Sequence, residues 1–105
     1  MWVGWGNLAE LGARVREVVG AGTAYVITDA GAASHAEVAR GSLEGADVRA
    51  QVFEMPSGEG SKTLETVRAI YGWLASHRAE RGDLIVAVGG GVVGDVAGYV
   101  AATYM

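Results

Sequence analysis

The chain has 105 residues, half of them hydrophobic, which is enough for one domain, or part of one, with a buried core. Its formal net charge of −4 provides no basic surface, so we expect no nucleic-acid partner. The absence of cysteine excludes disulfides and zinc–thiolate sites and favours a cytoplasmic location. The first residues lack the basic and apolar regions of a signal peptide.

The first half of the chain alternates strand and helix signals. Met1 to Gly4 predicts the end of a strand, and Asn7 with Glu10 forms a capping pair for a helix that ends at Gly20. The segments that follow predict a strand, an alanine-rich helix and another strand, which are Ala24 to Thr28, Ala32 to Leu43 and Val48 to Met55.

A loop, Ser57 to Lys62, leads the second half of the chain into a long helix. The buried face of this helix is predicted from its apolar spacing, which selects Leu64, Val67, Ile70, Tyr71 and Leu74. Arg81 followed by Gly82 predicts its end, because a cation and then a glycine suit a helix C-terminus. Asp83 is then expected to open a fourth strand.

The segment LIVAVGGGVVGD, from Leu84 to Asp95, is the most informative in the chain. Its apolar start predicts a buried strand, and the residues after the glycines predict a helix that reaches Met105. A transmembrane helix is the alternative, because only one residue in this region is charged and the glycines at 94 and 98 have GxxxG spacing. We favour a strand and a helix, without a membrane partner, because three adjacent glycines would break a membrane span.

Strands separated by helices of these lengths predict an α/β fold: a Rossmann-like layered domain with a parallel sheet of about four strands alternating with helices. The ligand site of such a sheet lies at the carboxyl ends of its strands. Asp29, the loop from Ser57 to Lys62 and the turn from Gly89 to Asp95 all fall at predicted carboxyl ends. We therefore expect these polar features to meet at one edge.

Gly89, Gly91 and Gly94 satisfy the G-x-G-x-x-G pattern between a predicted strand and a predicted helix. Glycine lets a ligand reach the backbone amides of a helix N-terminus, which suits a phosphate. The alternative is that the glycines only allow the strand and helix to pack closely, and close packing is what we expect of Gly94 and Gly98. The turn follows the fourth strand rather than the first, so it is not an ordinary dinucleotide fingerprint.

The charged residues near this edge each have a structural and a ligand-binding interpretation. Asp95, in the first turn of the last predicted helix, either interacts with the helix dipole or accepts hydrogen bonds from a hydroxyl-bearing ligand. Glu59 and Lys62 are either a solvated pair or contacts for a ribose, an amide or a phosphate. Asp29 either starts a turn or binds a ribose. The two histidines lack ligand-type spacing, so we expect no metal site within the chain.

Two blocks of the sequence carry a family resemblance: GEGSKTLETV from Gly58 to Val67, and GGGVVGDVAGYVAATYM from Gly89 to Met105. Both resemble the N-terminal domain of the 3-dehydroquinate synthase family, and the second block is the more specific. The resemblance implies a lyase of the shikimate pathway, which leads to chorismate and the aromatic amino acids. Such a lyase converts the sugar-acid phosphate DAHP into 3-dehydroquinate with loss of phosphate. It also implies bound NAD, which is not consumed overall, and a divalent metal, zinc or cobalt.

The resemblance further implies which residues bind NAD, with the glycine turn covering its pyrophosphate. The cofactor-binding residues are Asp29, Ser57, Gly58, Glu59, Lys62, Gly90, Gly91, Val92, Val93, Gly94 and Asp95. Many family members carry asparagine two residues after the early aspartate, where this chain has Gly31, a departure that affects one expected ribose contact.

By this resemblance, residues 1–105 are an N-terminal NAD-binding domain that is truncated before a C-terminal metal-binding catalytic domain. We therefore expect no catalytic residue in the chain, no synthase activity from it alone and weak NAD binding. An open sheet edge is expected to favour self-association or a homodimer. Two alternatives stay open: an NAD-binding fragment of a metal-dependent polyol or glycerol dehydrogenase, and a stand-alone nucleotide-binding module.

Overall fold

The computed structural model describes residues 2–3, 22–58, 60, 62–80 and 82–104. Within these residues the strands are β1 (Trp2–Val3), β2 (Thr23–Asp29), β3 (Arg49–Met55) and β4 (Leu84–Val88). The helices of the same described part are α1 (Ala33–Gly45), α2 (Leu64–Ser76) and α3 (Gly91–Tyr104), and a short 3-10 turn (Ala30–Ala32) joins β2 to α1. The helix predicted to begin at Asn7 lies outside the described residues.

The four strands form one parallel sheet in the order β1-β4-β2-β3, which confirms the predicted α/β fold. Strand β2 is central, because it pairs along its whole length with β3 and over five positions with β4, from Ala24↔Leu84 to Thr28↔Val88. The two-residue β1 pairs with β4 on its other side. Strands alternating with helices along the chain therefore produce a sheet whose order differs from the sequence order.

The two faces of the sheet bury different helices, because successive residues of a strand point to opposite faces. Ala24 and Val26 of β2 belong to a buried cluster with α1, whereas Tyr25 and Ile27 belong to a second cluster with α2 and α3. β4 divides its residues between the same two clusters. Because both faces of β4 are covered, its sequence is a continuous run of apolar residues rather than an alternation of apolar and polar ones.

Strands β2 and β4 are neighbours, but the helices that follow them lie on opposite faces of the sheet. α1 follows β2 over one face, and α3 follows β4 over the other. Neighbouring strands whose following helices diverge in this way mark a topological switch point in the sheet. Ligands of open α/β sheets bind at such a topological switch point. We call the carboxyl ends of β2 and β4, with the residues that follow them, the switch-point edge.

The predicted end of the second helix was wrong. α2 ends at Ser76, not at Arg81 and Gly82, and Arg78 adopts a left-handed conformation with φ of 56°. The amide of Ala79 then donates to the carbonyl of Leu74 at 3.0 Å, which closes the helix. Left-handed C-terminal residues are usually glycine or asparagine, so an arginine in that role left no sequence signal.

Asp83 does not open β4, which begins at Leu84. Its carboxylate instead closes the turn before the strand, accepting from the amide of Glu80 at 2.8 Å and from the amide of Thr23 at 3.1 Å. These two bonds join the entrances of β4 and β2. Asp83 is therefore a structural residue at the amino end of the sheet.

The apolar region from residue 84 onward is divided between a strand and a helix, as favoured over a membrane span. β4 ends at Val88, and α3 begins at Gly91 after two residues of turn. Within the part of the chain that the structure describes, no helix has the length and hydropathy needed to cross a membrane.

Candidate functional site

The glycine turn at the end of β4 uses glycine for two different reasons. One glycine permits close packing of strand on helix, and others leave the backbone accessible to a ligand. Gly89 has φ of +156°, and a Cβ added there would lie 2.7 Å from the Cγ2 atom of Val93, which is fully buried. Close packing of strand on helix therefore accounts for Gly89. A Cβ at Gly90 or Gly91 would meet nothing within 4 Å, so the backbone there is open to a ligand.

The N-terminus of α3 presents backbone amides into this open space. The first backbone bond into the helix runs from the amide of Gly94 to the carbonyl of Gly90 at 3.1 Å. The amides of Gly91, Val92 and Val93 precede that bond, so they have no carbonyl of the same helix to donate to. Together with the positive end of the helix dipole, they provide the chemistry of a phosphate site.

Gly94 does not serve close helix packing, contrary to the sequence-based expectation. A Cβ built on it would meet nothing within 4 Å. GxxxG spacing predicts only that two glycines share a helix face, not that a neighbouring element packs closely against each of them.

Asp29 serves its structural role with only one of its two carboxylate oxygens. It ends β2, and its Oδ1 accepts from the amide of Ala32 at 2.9 Å, which caps the 3-10 turn. Its Oδ2 has no hydrogen-bond partner among the described residues, and the residue is partly exposed. The turn-starting and ligand-binding interpretations of Asp29 are therefore compatible.

Ser57 lies beside Asp29 because the ends of β2 and β3 are adjacent. Its hydroxyl oxygen accepts from the amide of Gly31 at 3.0 Å. A Cβ built at Gly31 would lie 3.5 Å from Asp29 Oδ1 and 3.6 Å from Ser57 Oγ, which are ordinary contacts. A side chain at position 31 would therefore fit, so space alone does not explain the glycine. Gly58, next along the loop, has φ of +102°, a conformation that favours glycine.

Lys62 and Asp95, which are 33 positions apart, form an ion pair with an Nζ–Oδ2 distance of 2.9 Å. The two side chains remain 50% and 60% exposed, so the pair itself contributes at most about 1 kcal/mol to stability. Asp95 is the fifth residue of α3 and lies beyond its first turn, which corrects the predicted position. The helix-dipole explanation is correspondingly weaker, because that effect decays within the first turn. Glu59 lies outside the described residues.

A groove between the start of α2 and the middle of α3 adjoins this ion pair, with a volume of about 320 Å³. Its lining residues are Lys62, Thr63, Leu64, Val67, Asp95, Val96 and Tyr99. Leu64 was expected on the buried face of its helix but is 73% exposed, and Tyr99 is 51% exposed. Leu64 follows the N-cap Thr63 directly, so helical periodicity alone could not separate it from the buried positions further along α2.

Thr28 is a site residue that sequence reasoning missed. It is completely buried, and its hydroxyl donates to the carbonyl of Val88, at the end of β4, at 2.7 Å. The signal was present as a hydroxyl residue at the end of an apolar strand, directly before Asp29. The sequence pattern alone predicts only a strand-forming residue there, because threonine has a high β-propensity.

Metal-ligating side chains do not gather in the described part of the chain: it contains no group of three or more His, Cys, Asp or Glu residues able to hold a metal ion. The candidate site therefore consists of three features at the switch-point edge. They are the glycine turn with the free amides of α3, the Asp29 carboxylate with one oxygen that has no described donor, and the exposed Lys62–Asp95 ion pair. These features define a doubly wound α/β domain of the nucleotide-binding type.

Comparison with known proteins identifies the family. Residues 52–105, just over half of the chain, match the model of the 3-dehydroquinate synthase N-terminal family. A 3-dehydroquinate synthase from Streptococcus suis is 46% identical over 101 residues, covering 95% of this chain, and one from Citrifermentans bemidjiense is 41% identical over 104 residues, covering 98%. The chain belongs to the 3-dehydroquinate synthase family.

The chain spans less than a third of its relatives, at 28% and 29% of the length of these two synthases. Among solved structures, 2-deoxy-scyllo-inosose synthase in complex with carbaglucose-6-phosphate, NAD+ and Co2+ superposes with a TM-score of 0.78 at 29% identity. That match covers 98% of this chain and 29% of the other protein. It confirms the Rossmann-like layered fold.

Proposed function

We propose that this chain is the NAD-binding portion of a 3-dehydroquinate synthase. The observation that carries the proposal is the meeting of Asp29, the Lys62–Asp95 pair and the open glycine turn at the switch-point edge. The complete enzyme would be a cytoplasmic lyase of the shikimate pathway that converts DAHP into 3-dehydroquinate with elimination of phosphate. The family match and the synthase relatives favour this function over the polyol dehydrogenase alternative.

The chemistry of the described residues fits NAD. The unpaired amides at the start of α3 suit its pyrophosphate, and the unused Oδ2 of Asp29 suits a ribose hydroxyl as a hydrogen-bond acceptor. Lys62 offers a cation to a phosphate or an amide oxygen, and Asp95 offers an acceptor to a hydroxyl. When bound, NAD would accept hydride from a substrate hydroxyl and later return it, while these side chains orient the cofactor.

The divalent metal, zinc or cobalt, does not fit the described residues, which lack a suitable donor cluster. We therefore assign its ligands, and the groups that bind the sugar-acid phosphate, to the remainder of the synthase. In this proposal the chain alone has no synthase activity. Its self-association, or a homodimer in the complete enzyme, is likewise part of the proposal.

Calorimetric titration with NAD tests the binding assignment. We expect Lys62→Ala and Asp95→Ala each to weaken NAD binding by about tenfold, the effect of one charge-assisted hydrogen bond. Arg40→Ala is the matched control, because Arg40 forms an exposed ion pair with Glu37 on α1, outside the proposed site. Equal affinity in all four proteins, or no binding to the unmodified chain, would contradict the assignment.

An activity assay tests the division of labour between this chain and the rest of a synthase. The chain with DAHP, NAD and zinc is expected to release no phosphate above the rate without protein. Turnover well above that background would show that the chain contains catalytic groups that the present assignment places elsewhere.

A further inference from the structure

We propose that Thr28 is a positioning residue for the cofactor turn: its hydroxyl fixes the peptide that connects β4 to the glycines. The proposal deepens the assignment of NAD to the switch-point edge and rests on it. Thr28 itself does not touch the cofactor in this account. It acts through the Val88 carbonyl on the amides that do.

The hydroxyl of Thr28 is specifically used. It has 0% exposure, and its Oγ1 lies 2.7 Å from the carbonyl oxygen of Val88. Thr28 and Val88 are also register partners at the end of the β2–β4 ladder. The bond thus spans the two strands whose following helices diverge.

The bonded carbonyl determines the orientation of the first peptide of the turn. The Val88 carbonyl and the Gly89 amide belong to one planar peptide unit, so fixing the oxygen fixes the direction in which the chain leaves the strand. Gly89 follows with φ of +156°, and the buried Val93 lies so close that a Cβ atom built on Gly89 would be 2.7 Å from its Cγ2 atom. The turn is therefore held at both ends, by a hydroxyl before it and by a packed valine after it.

A fixed turn matters for binding because amides that already point at the ligand site lose little entropy when the ligand arrives. If the Thr28 hydroxyl were absent, the buried Val88 carbonyl would lack this donor and would tend to tilt toward another. The amides after Gly90 would then sample more orientations. Valine has nearly the same shape as threonine and is abundant in this sheet, so the packing at position 28 does not by itself require a hydroxyl.

Thr28 also connects the two proposed cofactor contacts. It immediately precedes Asp29, whose Oδ2 has no hydrogen-bond partner among the described residues, and its hydroxyl reaches the strand that leads into the glycine turn. The hydroxyl bond therefore links the strand end that carries the proposed ribose acceptor to the strand end that leads into the proposed pyrophosphate amides.

Three variants separate positioning from a merely structural role. Thr28→Val removes the hydroxyl and keeps the shape, Thr28→Ser keeps the hydroxyl and removes the methyl group, and Ile27→Val removes a buried methyl group from the opposite face of the same strand. The measurements on the chain are the carbonyl carbon shift of Val88, the amide shifts of Gly89 to Gly91, the melting temperature, and the NAD affinity from calorimetry.

We expect Thr28→Val to move the Val88 carbonyl shift and the glycine amide shifts and to weaken NAD binding by about tenfold, as the loss of one hydrogen bond would. Thr28→Ser should keep the shifts and the affinity of the unmodified chain. Ile27→Val should lower the melting temperature but change neither the turn shifts nor the NAD affinity. If Thr28 acted only through its packing, Thr28→Val, which keeps the shape, would leave the turn amides in place, and Thr28→Ser, which loses the methyl group, would move them.

Two outcomes would overturn the proposal. One is a Thr28→Val protein whose turn amides keep their shifts, and the other is a Thr28→Ser protein whose turn amides move as far as those of Thr28→Val. The serine variant decides alone if the valine variant does not fold, because a packing role predicts that loss of the methyl group disturbs the turn. Failure of the unmodified chain to bind NAD would refute the proposed function, whereas the shifts would still decide the role of Thr28.

Discussion

The two ends of the sheet use the same residue types for different purposes. At the amino end, both carboxylate oxygens of Asp83 accept backbone amides, from Thr23 and Glu80. At the carboxyl end, one carboxylate oxygen of Asp29 accepts from the amide of Ala32, and the other has no hydrogen-bond partner among the described residues. The two aspartates differ in that Asp29 has a carboxylate oxygen without a donor among the described residues, whereas each oxygen of Asp83 accepts one backbone amide.

Aromatic residues close the amino end further. The ring centroids of Tyr25 and Trp73 lie 5.4 Å apart in an edge-to-face arrangement, Phe53 packs on the same indole, and the Tyr25 hydroxyl donates to the carbonyl of His77 at 3.4 Å. The carboxyl end has bare glycine backbone in the corresponding place. In the proposed function, the amino end stabilises the fold and the carboxyl end is open to the cofactor.

The largest effect is expected where the open end depends on close packing. Gly89→Ala would place a Cβ atom 2.7 Å from Val93 in a left-handed region of backbone, and we expect it to lower the free energy of unfolding by about 2–3 kcal/mol. Urea denaturation measures this loss. Gly90→Ala is the matched control, because its Cβ would meet no atom within 4 Å. A Gly89→Ala protein as stable as Gly90→Ala would refute the packing argument.

The next effect separates the two ends directly. Asp83→Asn should lower the free energy of unfolding by about 1–3 kcal/mol, because an amide cannot accept from both backbone donors, and it should leave NAD affinity unchanged. Asp29→Asn makes the same chemical change at the other end. It should cost less stability and weaken NAD binding. Urea denaturation of the two variants measures the stability loss, and calorimetry measures NAD affinity. Weaker NAD binding in Asp83→Asn than in Asp29→Asn would contradict the assignment of different roles to the two ends.

The smallest effect concerns pH. Burial, and then the nearby Asp83 carboxylate, raise the pKa of the Tyr25 hydroxyl above its usual value. The folded state therefore binds this proton more tightly than the unfolded state, so the stabilisation is complete below about pH 10 and is lost as the pH rises further. Urea denaturation across this range should show unmodified protein losing more stability than Tyr25→Phe. An equal loss of stability with rising pH in the two proteins would show that Tyr25 does not contribute to the pH dependence.

Much of the fold follows from the sequence because strand and helix signals are local. The apolar run of β4 and the spacing of the apolar residues along α2 predicted the type and order of these elements, and with them the α/β class. The predicted end of α2 was wrong because Arg78 adopts a left-handed backbone conformation, which is not typical of arginine and so could not be predicted from the sequence. The strand order, with β4 between β1 and β2, depends on long-range pairing that no local pattern records.

The candidate site was predictable at the level of residues but not of contacts. Parallel strands place their carboxyl ends together, so the convergence of Asp29, Ser57 and the glycine turn followed from the predicted fold. The direct pairing of Lys62 with Asp95 did not, because it depends on how α2 and α3 pack on one face. Thr28 was missed for the same reason: its partner, Val88, lies 60 positions away.

The most direct test of the central claim is an NMR titration of the labelled chain with NAD. If the carboxyl end of the sheet binds the cofactor and the amino end is structural, amide shifts should change in Gly90 to Asp95, with the pyrophosphate at the start of α3, and around Asp29. The amides of Thr23 and Glu80 should stay in place. Shift changes centred on the amino end, or none at millimolar NAD, would contradict the account.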